Sequence, residues 1–379
     1  MRNFHIHTIF LIILLASWGC VEKYEPDVMD ASGNFLVVEG TLVNDTTTLF
    51  LSRTSALDSL GARPESGAQL WVENSNASYR VAFEEKESGT YRAFLNLSPA
   101  DTYRLQIMSS GKVYFSEYIS VKDAPEIESV DWDVSGNTTI DVNVSTRDPQ
   151  NNTLYYRWEY TETWEYRSAY NSVFKFEKDE VQVRDIPGEL INTCYRSAAS
   201  SDIYIASSVK LTEDRISRFP LLKIDLPDDN RLDRRYSILV RQYALSREAF
   251  EFWDILKKNT ESLGTLFDPQ PSQLPSNLYC ETDPDEPVIG YISAGKFTEK
   301  RLFIDRAEIP FSFNYNRYPT CELDTIPIDS AIAFARFNGT SSIPVDTYGL
   351  FEPTDYLYSS SSCVDCRVQG GTLEKPDFW

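Results

Sequence analysis

Between residues 35 and 122, apolar and polar residues alternate in short runs separated by turn-forming residues. In the clearest run, Tyr103, Leu105 and Ile107 alternate with the polar residues Arg104 and Gln106. A period of two residues is the signature of a β-strand with one buried face. Short, closely spaced strands of this kind predict an N-terminal β-sandwich over 35–122. The other strand-like runs of this region lie at 36–43, 48–52, 69–73, 79–83 and 113–115.

A second set of alternating runs begins after the Pro-containing segment 123–125, which we interpret as a domain boundary. Ile140, Val142 and Val144 form one of these runs, and apolar and polar residues alternate again over 154–160. The pattern predicts a second sandwich over 123–340, followed by a Cys-containing tail at 341–379. The expected fold class is mainly β, with two immunoglobulin/fibronectin-like β-sandwich domains and an inserted α-helix.

One segment has helical periodicity. Ala249, Phe252 and Leu256 follow the i, i+3, i+7 spacing of an amphipathic helix. Ser246 can cap its N-terminus, since a Ser side chain accepts a hydrogen bond from a free backbone N–H of the first turn. We predict a helical insertion near 246–264 that packs on the second sandwich.

The first twenty residues predict secretion and lipid attachment. Arg2 precedes the apolar run 9–16, a combination that is typical of a signal peptide and too short to span a membrane. Cys20 follows the small residue Gly19, which resembles the lipobox of bacterial lipoproteins, where the Cys is acylated. The alternative is ordinary signal cleavage, with Cys20 as a structural thiol. We predict a lipoprotein signal peptide over 1–20 that ends at a lipidated Cys20.

The next segment, 21–34, begins with a charged stretch and is expected to form a tether. It resembles the acidic export tags of surface lipoproteins in Gram-negative bacteria rich in starch-utilisation-type transporters. A plain flexible linker is the alternative. The expected location is therefore the outer membrane, with a lipid anchor and the folded part facing the cell exterior.

Charge and composition narrow the function classes. The chain carries 36 Lys and Arg residues against 57 Asp and Glu residues, a formal net charge of −21. Such a chain has no net basic surface with which to neutralise phosphates, so we expect no nucleic-acid partner. Hydrophobic residues make up 42% and aromatic residues 13% of the chain. This apolar content argues against a disordered protein.

Histidine content excludes several mechanisms. The only histidines are His5 and His7, and both lie in the predicted signal peptide. Ser-His-Asp and Cys-His catalysis and zinc sites with imidazole ligands are therefore excluded for the mature chain. A carboxylate-based hydrolase stays open as a less favoured alternative. We predict that the protein is not an enzyme and has no catalytic residues and no cofactor.

Two short motifs are candidates, one for a catalytic site and one for a metal site. Residues 293–296 match S-x-x-K of penicillin-binding enzymes, but they follow a strand and lack the companion motifs, so we expect a tight turn. The acidic run 281–286 could bind Ca²⁺, but it lacks the Gly and the distal Glu of an EF-hand loop. A solvated acidic loop is the expected structure there, and we predict no metal site.

Disulfides are expected, because a signal peptide implies an oxidising compartment. After Cys20, an odd number of cysteines remains, so at least one thiol stays free or pairs elsewhere. Two of them form a C-x-x-C in a polar tail, and we expect Cys321 to reach one member of this pair. A four-Cys metal site is the alternative. The disulfide candidates are Cys194, Cys280, Cys321, Cys363 and Cys366.

Aromatic residues provide candidate contact surfaces. An aromatic stretch extends beyond the clean alternation to Trp164, Tyr166 and Tyr170. Tyr and Trp supply rigid contact area, so these residues are candidates for partner or ligand contact. Packing in the core or at a sheet edge is the favoured interpretation of the three residues, and contact is the alternative. Phe250 and Trp253 of the predicted helix are two further contact candidates.

An ordered set of motifs resembles a known family. The motifs lie at 36–40, 51–54, 236–243, 250–256, 290–292, 363–367, 370–372 and 375–379. They resemble bacterial outer-membrane lipoproteins of the family named domain of unknown function forty-two forty-nine, over nearly the whole mature chain. The resemblance implies no catalytic residues. It implies that the protein accompanies a TonB-dependent outer-membrane transporter of the starch-utilisation type.

We therefore expect a cell-surface lipoprotein that is a non-catalytic accessory or ligand-capture subunit of a TonB-dependent outer-membrane transporter. The expected partners are this transporter and, through the lipid anchor, the membrane. The best-placed contact elements are the helix around 250–256 and the loop 269–287. A stand-alone adhesive or structural surface module is the second hypothesis, and the carboxylate-based hydrolase is the third.

Overall fold

The computed structural model describes residues 34–55, 63–136, 138–226, 229–261, 274–309, 318, 320–349 and 351–379. The predicted signal peptide with Cys20, and the predicted tether up to residue 33, lie outside these residues. Within them the chain is mainly β, and the fold class predicted from the alternation is confirmed. No helix in these ranges is both long enough and apolar enough to cross a membrane.

The first module has an immunoglobulin-like arrangement. Its strands are β1 (Leu36–Val43), β2 (Thr46–Arg53), β3 (Arg63–Pro64), β4 (Gln69–Asn74), β5 (Arg80–Ala82), β6 (Glu84–Glu87), β7 (Thr90–Phe94), β8 (Thr102–Ser109), β9 (Lys112–Ser116) and β10 (Ile119–Asp123). One layer runs β1-β2-β7-β6, and the other places β8 between β4 and β9. These are the two layers, A-B-E-D and C-F-G, of an immunoglobulin sandwich.

The alternation seen in the sequence fills the space between these two layers. Leu49, Leu51, Tyr91, Leu105 and Ile107 are at most 1% exposed. Complete burial of a Leu or Ile side chain stabilises a fold by roughly 1.5–3 kcal/mol, so these alternating positions hold the sandwich together.

The second module continues the chain. Its first strands are β11 (Ile127–Ser135), β12 (Thr139–Arg147), β13 (Tyr155–Arg167), β14 (Phe174–Glu177), β15 (Glu180–Val183), β16 (Thr193–Ala199), β17 (Tyr204–Ser207), β18 (Arg215–Asp225) and β19 (Arg235–Ala244). Then come α1 (Arg247–Glu261), β20 (Leu278–Cys280), β21 (Ser293–Lys296), β22 (Thr298–Asp305) and a 3-10 turn at Arg306–Glu308.

Two layers enclose the core of the second module. One layer runs β11-β12-β18, and the other runs β16-β13-β19-β22, with β17 also paired to β13. Fibronectin type III domains share this sandwich architecture. Val142, Trp158 and Tyr236 face the core and are at most 1% exposed. The outward-facing residues of β13 and β19 form a second surface, on the side of the sheet away from this core.

The connection from β19 to β22 leaves the second module, completes the first module and then returns. β20 pairs antiparallel with β9, and β21 pairs parallel with both β1 and β10. Leu278, Val288, Ile292 and Ala294 lie in the core of the first module. This corrects the predicted second domain, 123–340, because the apolar residues of its 278–294 stretch fill the other sandwich.

β21 also corrects the tight turn expected at 293–296, since these residues form a strand between two neighbours. A Cβ on Gly295 would lie 2.0 Å from the carbonyl oxygen of Lys122 in β10. A Cβ on Gly290 would lie 2.1 Å from the carbonyl oxygen of Val38 in β1. Such close backbone approaches leave room for glycine and for no other residue.

α1 confirms the helix predicted from the periodicity. Its first turn is capped by Ser246, whose hydroxyl accepts a hydrogen bond from the backbone N–H of Ala249 at 3.1 Å. Ala249 and Phe252 are buried. The predicted C-terminal end near Gly264 lies outside the described residues.

α1 bridges the two modules through two tilted ring contacts. Phe250 packs on Tyr155 of β13, with ring centroids 5.1 Å apart. Phe252 packs on Tyr291, in the segment that leads into β21, with centroids 5.7 Å apart. The helix is thus fixed to the second sandwich, as predicted, and also to the segment that completes the first.

A third unit lies at the C-terminus. It contains β23 (Asp324–Pro327), α2 (Ser330–Phe337), β24 (Ser342–Tyr348), β25 (Asp355–Ser360), α3 (Ser361–Val364) and a 3-10 turn at Cys366–Gln369. β25 lies between β23 and β24, and Ile326, Phe337 and Tyr358 share a small core. The predicted boundary between 340 and 341 is corrected, because it divides this unit.

Two disulfides attach this unit. Cys194 of β16 is bonded to Cys366, and Cys321 is bonded to Cys363. The expectation that Cys321 reaches one member of the C-x-x-C pair is therefore confirmed. The alternative of a four-Cys metal site is excluded, because these four thiols are in disulfides. Cys280 is the free, buried cysteine of the odd set.

A buried ion-pair network lies near Asn34, where the described chain begins. Arg53 is 6% exposed, with its Nη2 2.9 Å from Glu65 and its Nη1 3.5 Å from Glu286. Glu286 also forms an ion pair with Lys112. The acidic run, expected to be a solvated loop, is therefore partly tied into the first module, because Glu286 compensates buried positive charge.

We predict that Gly295→Ala destabilises the protein by about 1–3 kcal/mol or more, since the new methyl group must displace β21 from β10. Chemical denaturation measures the effect. Gly188→Ala is the matched control, because the nearest atom to a Cβ at Gly188 is 3.7 Å away. Equal stability of the two variants would contradict the role assigned to β21.

A second prediction concerns acid stability. The hydrogen bond from Arg53 lowers the pKa of Glu65 from 4.5 to about 2. Because the folded-state pKa lies below the unfolded one, this carboxylate stabilises the fold above about pH 4.5, and the contribution is lost between about pH 5 and pH 2. In Glu65→Gln, we expect that part of the pH dependence to disappear.

Denaturation midpoints measured across this pH range test the expectation. Glu87→Gln serves as the control, because Glu87 is exposed on β6. The assignment fails if Glu65→Gln and Glu87→Gln follow the same pH profile.

Candidate functional site

Two of the predicted contact residues belong to the core. Trp164 is 7% exposed and Tyr166 is 1% exposed, and both pack in the second sandwich. The hydroxyl of Tyr166 donates a hydrogen bond to the carbonyl oxygen of Cys366 at 2.8 Å. Their proposed role as a contact surface is corrected, because the alternation of β13 continues through residue 166 and turns both rings inward.

Tyr170 also has a structural environment. It is half-buried, and its hydroxyl donates a hydrogen bond to the carbonyl oxygen of Cys321 at 2.8 Å. The ring packs beside the disulfide between Cys321 and Cys363. The described part of the predicted contact loop, 274–287, contributes β20 to the first module, whereas 269–273 lies outside the described residues.

The predicted helix contributes one residue to a cleft. Phe250 packs against Tyr155, as described above, whereas Trp253 lines a space between the two sandwich modules. We call this space the inter-module cleft; its volume is about 580 Å³. Its lining residues are Glu39, Gly40, Thr41, Val43, Asp45, Thr46, Thr48, Phe50, Arg157, Glu159, Arg241, Tyr243, Trp253 and Phe297.

Strand geometry explains how these residues converge. Thr48 and Phe50 lie on the outer face of β2, because Leu49 and Leu51 point into the first core. On the opposite wall, the outward-facing residues of β13 and β19 meet the cleft for the same reason. β21, paired to β1 on one side and followed two residues later by β22, fixes these two sheet faces relative to each other.

Arg157 is the central side chain of the second wall. It is 7% exposed, and its guanidinium carbon lies 4.5 Å from the ring centroid of Tyr243 and 4.4 Å from that of Trp253. Cation–π contacts of this kind contribute about 0.5–2 kcal/mol each. Its Nη1 donates to Glu159 at 2.5 Å, while its Nε has no hydrogen-bond partner among the described residues.

The groups around Arg157 form a connected set. Tyr243 donates its hydroxyl hydrogen to Glu159 at 3.0 Å. Burial, reinforced by the nearby Glu159 carboxylate, raises the pKa of Tyr243 well above its ordinary value, so the phenol stays neutral. Arg241 lies 5.1 Å from the ring centroid of Phe297 and 3.0 Å from Glu299.

The facing wall carries acidic groups of a different kind. Glu39 on β1 and Asp45 in the β1–β2 turn are exposed. Among the described residues, neither carboxylate forms an ion pair, and Asp45 accepts a hydrogen bond from the backbone N–H of Thr46 at 2.6 Å. The cleft thus combines paired arginines on one wall with unpaired carboxylates on the other.

Sequence reasoning missed most of this cleft. Arg157, Glu159, Arg241 and Tyr243 are at the outward positions of predicted strands, where charged residues are ordinary. The sequence does place Arg and aromatic residues at outward positions of two strands, and this pattern could have indicated the cleft. It did not do so because the sequence pattern did not predict which strands are neighbours. Within the described ranges, no group of three or more Cys, Asp or Glu residues is arranged to hold a metal ion.

Comparison with known proteins addresses the family. The profile of the family described as "Domain of unknown function (DUF4249)" matches residues 21–301. No curated protein matches the chain. One similar solved structure is the two fibronectin type-III domain segment from chicken tenascin, with 9% identity, 55% of this chain and 90% of that chain covered, and a TM-score of 0.16.

A TM-score this low does not define a shared fold, and the sandwich architecture follows from the strand pairings of the chain itself. The profile match covers well over half of the chain and includes both sandwich modules up to β22. It agrees with the family resemblance noted in the sequence. The chain belongs to the DUF4249 family.

Proposed function

We propose that the protein is a cell-surface lipoprotein that captures a ligand as a non-catalytic accessory subunit of a TonB-dependent outer-membrane transporter. The observation that carries this proposal is the inter-module cleft, lined by aromatic rings and a few charged groups. A volume of about 580 Å³ falls in the range of roughly 300–1,000 Å³ that is typical of ligand pockets.

Two features support capture over catalysis. The two arginines of the cleft are paired with carboxylates and stay protonated, and burial raises the pKa of Tyr243, so its phenol stays neutral. These three groups can bind a ligand, but they are not suited to transfer a proton near neutral pH. The chain after residue 20 also contains no histidine to move a proton at neutral pH.

The expected lipid anchor supports attachment next to a transporter. The described residues begin at Asn34, so residues 20–34 would join them to a lipid on Cys20. Fifteen residues in an extended conformation span at most about 50 Å. A folded body on such a tether can reach a neighbouring protein in the same membrane.

A stand-alone adhesive module is the second candidate. The C-terminal unit exposes apolar side chains, with Ile332 42%, Phe334 41% and Tyr348 61% exposed. Exposed apolar groups of this kind favour protein–protein contact, whichever protein provides the other surface.

The anchor is testable by metabolic labelling. We expect palmitate to label the wild-type protein and Cys280→Ala, and not Cys20→Ser, because Cys280 is a buried core thiol. Cys20→Ser should also leave the membrane fraction, since the acyl chains supply the membrane affinity. Labelled Cys20→Ser would contradict the anchor.

The partner is testable by co-purification. We expect the tagged protein, extracted from outer membranes in mild detergent, to elute with a near-stoichiometric TonB-dependent transporter that mass spectrometry identifies. Cys20→Ser is the control: because it should leave the membrane fraction, it should recover no transporter. A protein that elutes alone would contradict the accessory role and favour the adhesive module.

A further inference from the structure

We propose that the inter-module cleft binds short peptides that combine a cationic group, an apolar side chain and a free carboxylate. This inference rests on the proposed capture function and specifies its ligand class. Three separate parts of the cleft support this proposal, one for each group of the ligand.

The first part is a subsite for positive charge. Glu39 and Asp45 line one wall, both are exposed, and neither has an ion-pair partner among the described residues. In a chain with a net charge of −21, carboxylates without a counter-charge lie in a negative potential that attracts cations. A ligand ammonium or guanidinium beside either carboxylate would supply the missing counter-charge.

The second part is a donor for a ligand acceptor. Arg157 lines the opposite wall and is more than nine-tenths buried. One of its nitrogens binds Glu159, and its Nε lacks a hydrogen-bond partner within the described residues. A guanidinium has five N–H donors and Glu159 takes up one of them, so the part of the group that lines the cleft can donate to a ligand carboxylate.

The third part is apolar and lies between the charged walls. Phe50 is 50% exposed on β2, and Trp253 and Phe297 lie across the cleft from it. One side of the Trp253 ring is occupied by Arg157. The remaining ring surface can bury an apolar side chain at about 25 cal/mol for each Å² removed from water.

Charge separates this ligand class from others of similar size. A nucleotide or another phosphate would meet the unpaired carboxylates of Glu39 and Asp45, so like charges would face each other. A neutral sugar would leave both carboxylates without a cation. A zwitterionic peptide satisfies both walls and presents an apolar group to the rings.

The test measures peptide binding to the purified mature protein in mild detergent, with no transporter present, by isothermal titration calorimetry. The probe is a tripeptide with free ends that contains one lysine and one phenylalanine. The comparison probes are the same peptide with norleucine in place of lysine, the same peptide with an amidated C-terminus, and maltotriose. We expect the free tripeptide to bind at least tenfold more tightly than each comparison probe.

The protein variants locate the binding. Glu39→Gln combined with Asp45→Asn should weaken binding of the free tripeptide at least tenfold, and both positions are exposed, so folding is not at risk. The control, Glu87→Gln combined with Glu126→Gln, changes the net charge equally at exposed positions that do not line the cleft. We expect its affinity to stay within twofold of the wild type.

Each result decides the proposal. It is overturned if the tripeptide does not bind at about 1 mM, if both double variants weaken binding equally, or if maltotriose binds and loses affinity in the Glu39→Gln, Asp45→Asn variant. No transporter is present in this test, so the two proposals can fail separately. If the tripeptide does not bind but the transporter co-purifies, only the proposed ligand class is contradicted. If the tripeptide binds but no transporter co-purifies, the accessory role is contradicted and the proposed ligand class stands.

Discussion

The pairing of β21 with β1 and β10 is the constraint on which the arrangement of the two modules depends. A short strand that contains Gly295 lies between two strands of the first sandwich, although β19 earlier in the chain and β22 directly after it belong to the second. Backbone hydrogen bonds on both edges hold it there. The chain therefore crosses between the modules three times, through 123–127, between β19 and β20, and through 296–298, and these connections restrict hinge motion between the modules.

This constraint also creates the cleft. The outer faces of β1 and β2 on one side and of β13 and β19 on the other would have no fixed separation if a single linker joined the modules. α1 belongs to the same returning segment, and it delivers Trp253 to the cleft while Phe252 packs on Tyr291. The cleft is thus assembled by the connection that locks the modules, which favours a preformed site over one that closes on its ligand.

Local pattern predicted the local elements, and long-range pairing decided the rest. The alternation around Leu105 and around Val144 predicted strands that the structure contains, and the helix followed from its periodicity. β21 was missed because a Ser-Ala-Gly-Lys run has neither alternation nor bulk, and its small residues are required by the backbone of Lys122, far away in sequence. Trp164 and Tyr166 were kept as contact candidates because the clean alternation of β13 was taken to end before them, whereas the strand extends to Arg167.

The cleft was hidden for a related reason. Outward positions of a strand carry charged residues by default, so Arg157 had no feature in the sequence that distinguished it from a solvated arginine. Its burial comes from Tyr243 on the neighbouring strand and Trp253 on the helix, and both contacts depend on tertiary structure. An arginine held this way loses most of its water while keeping its charge, so it acts as a fixed donor of known direction. Glu39 and Asp45, by contrast, are exposed and keep their water.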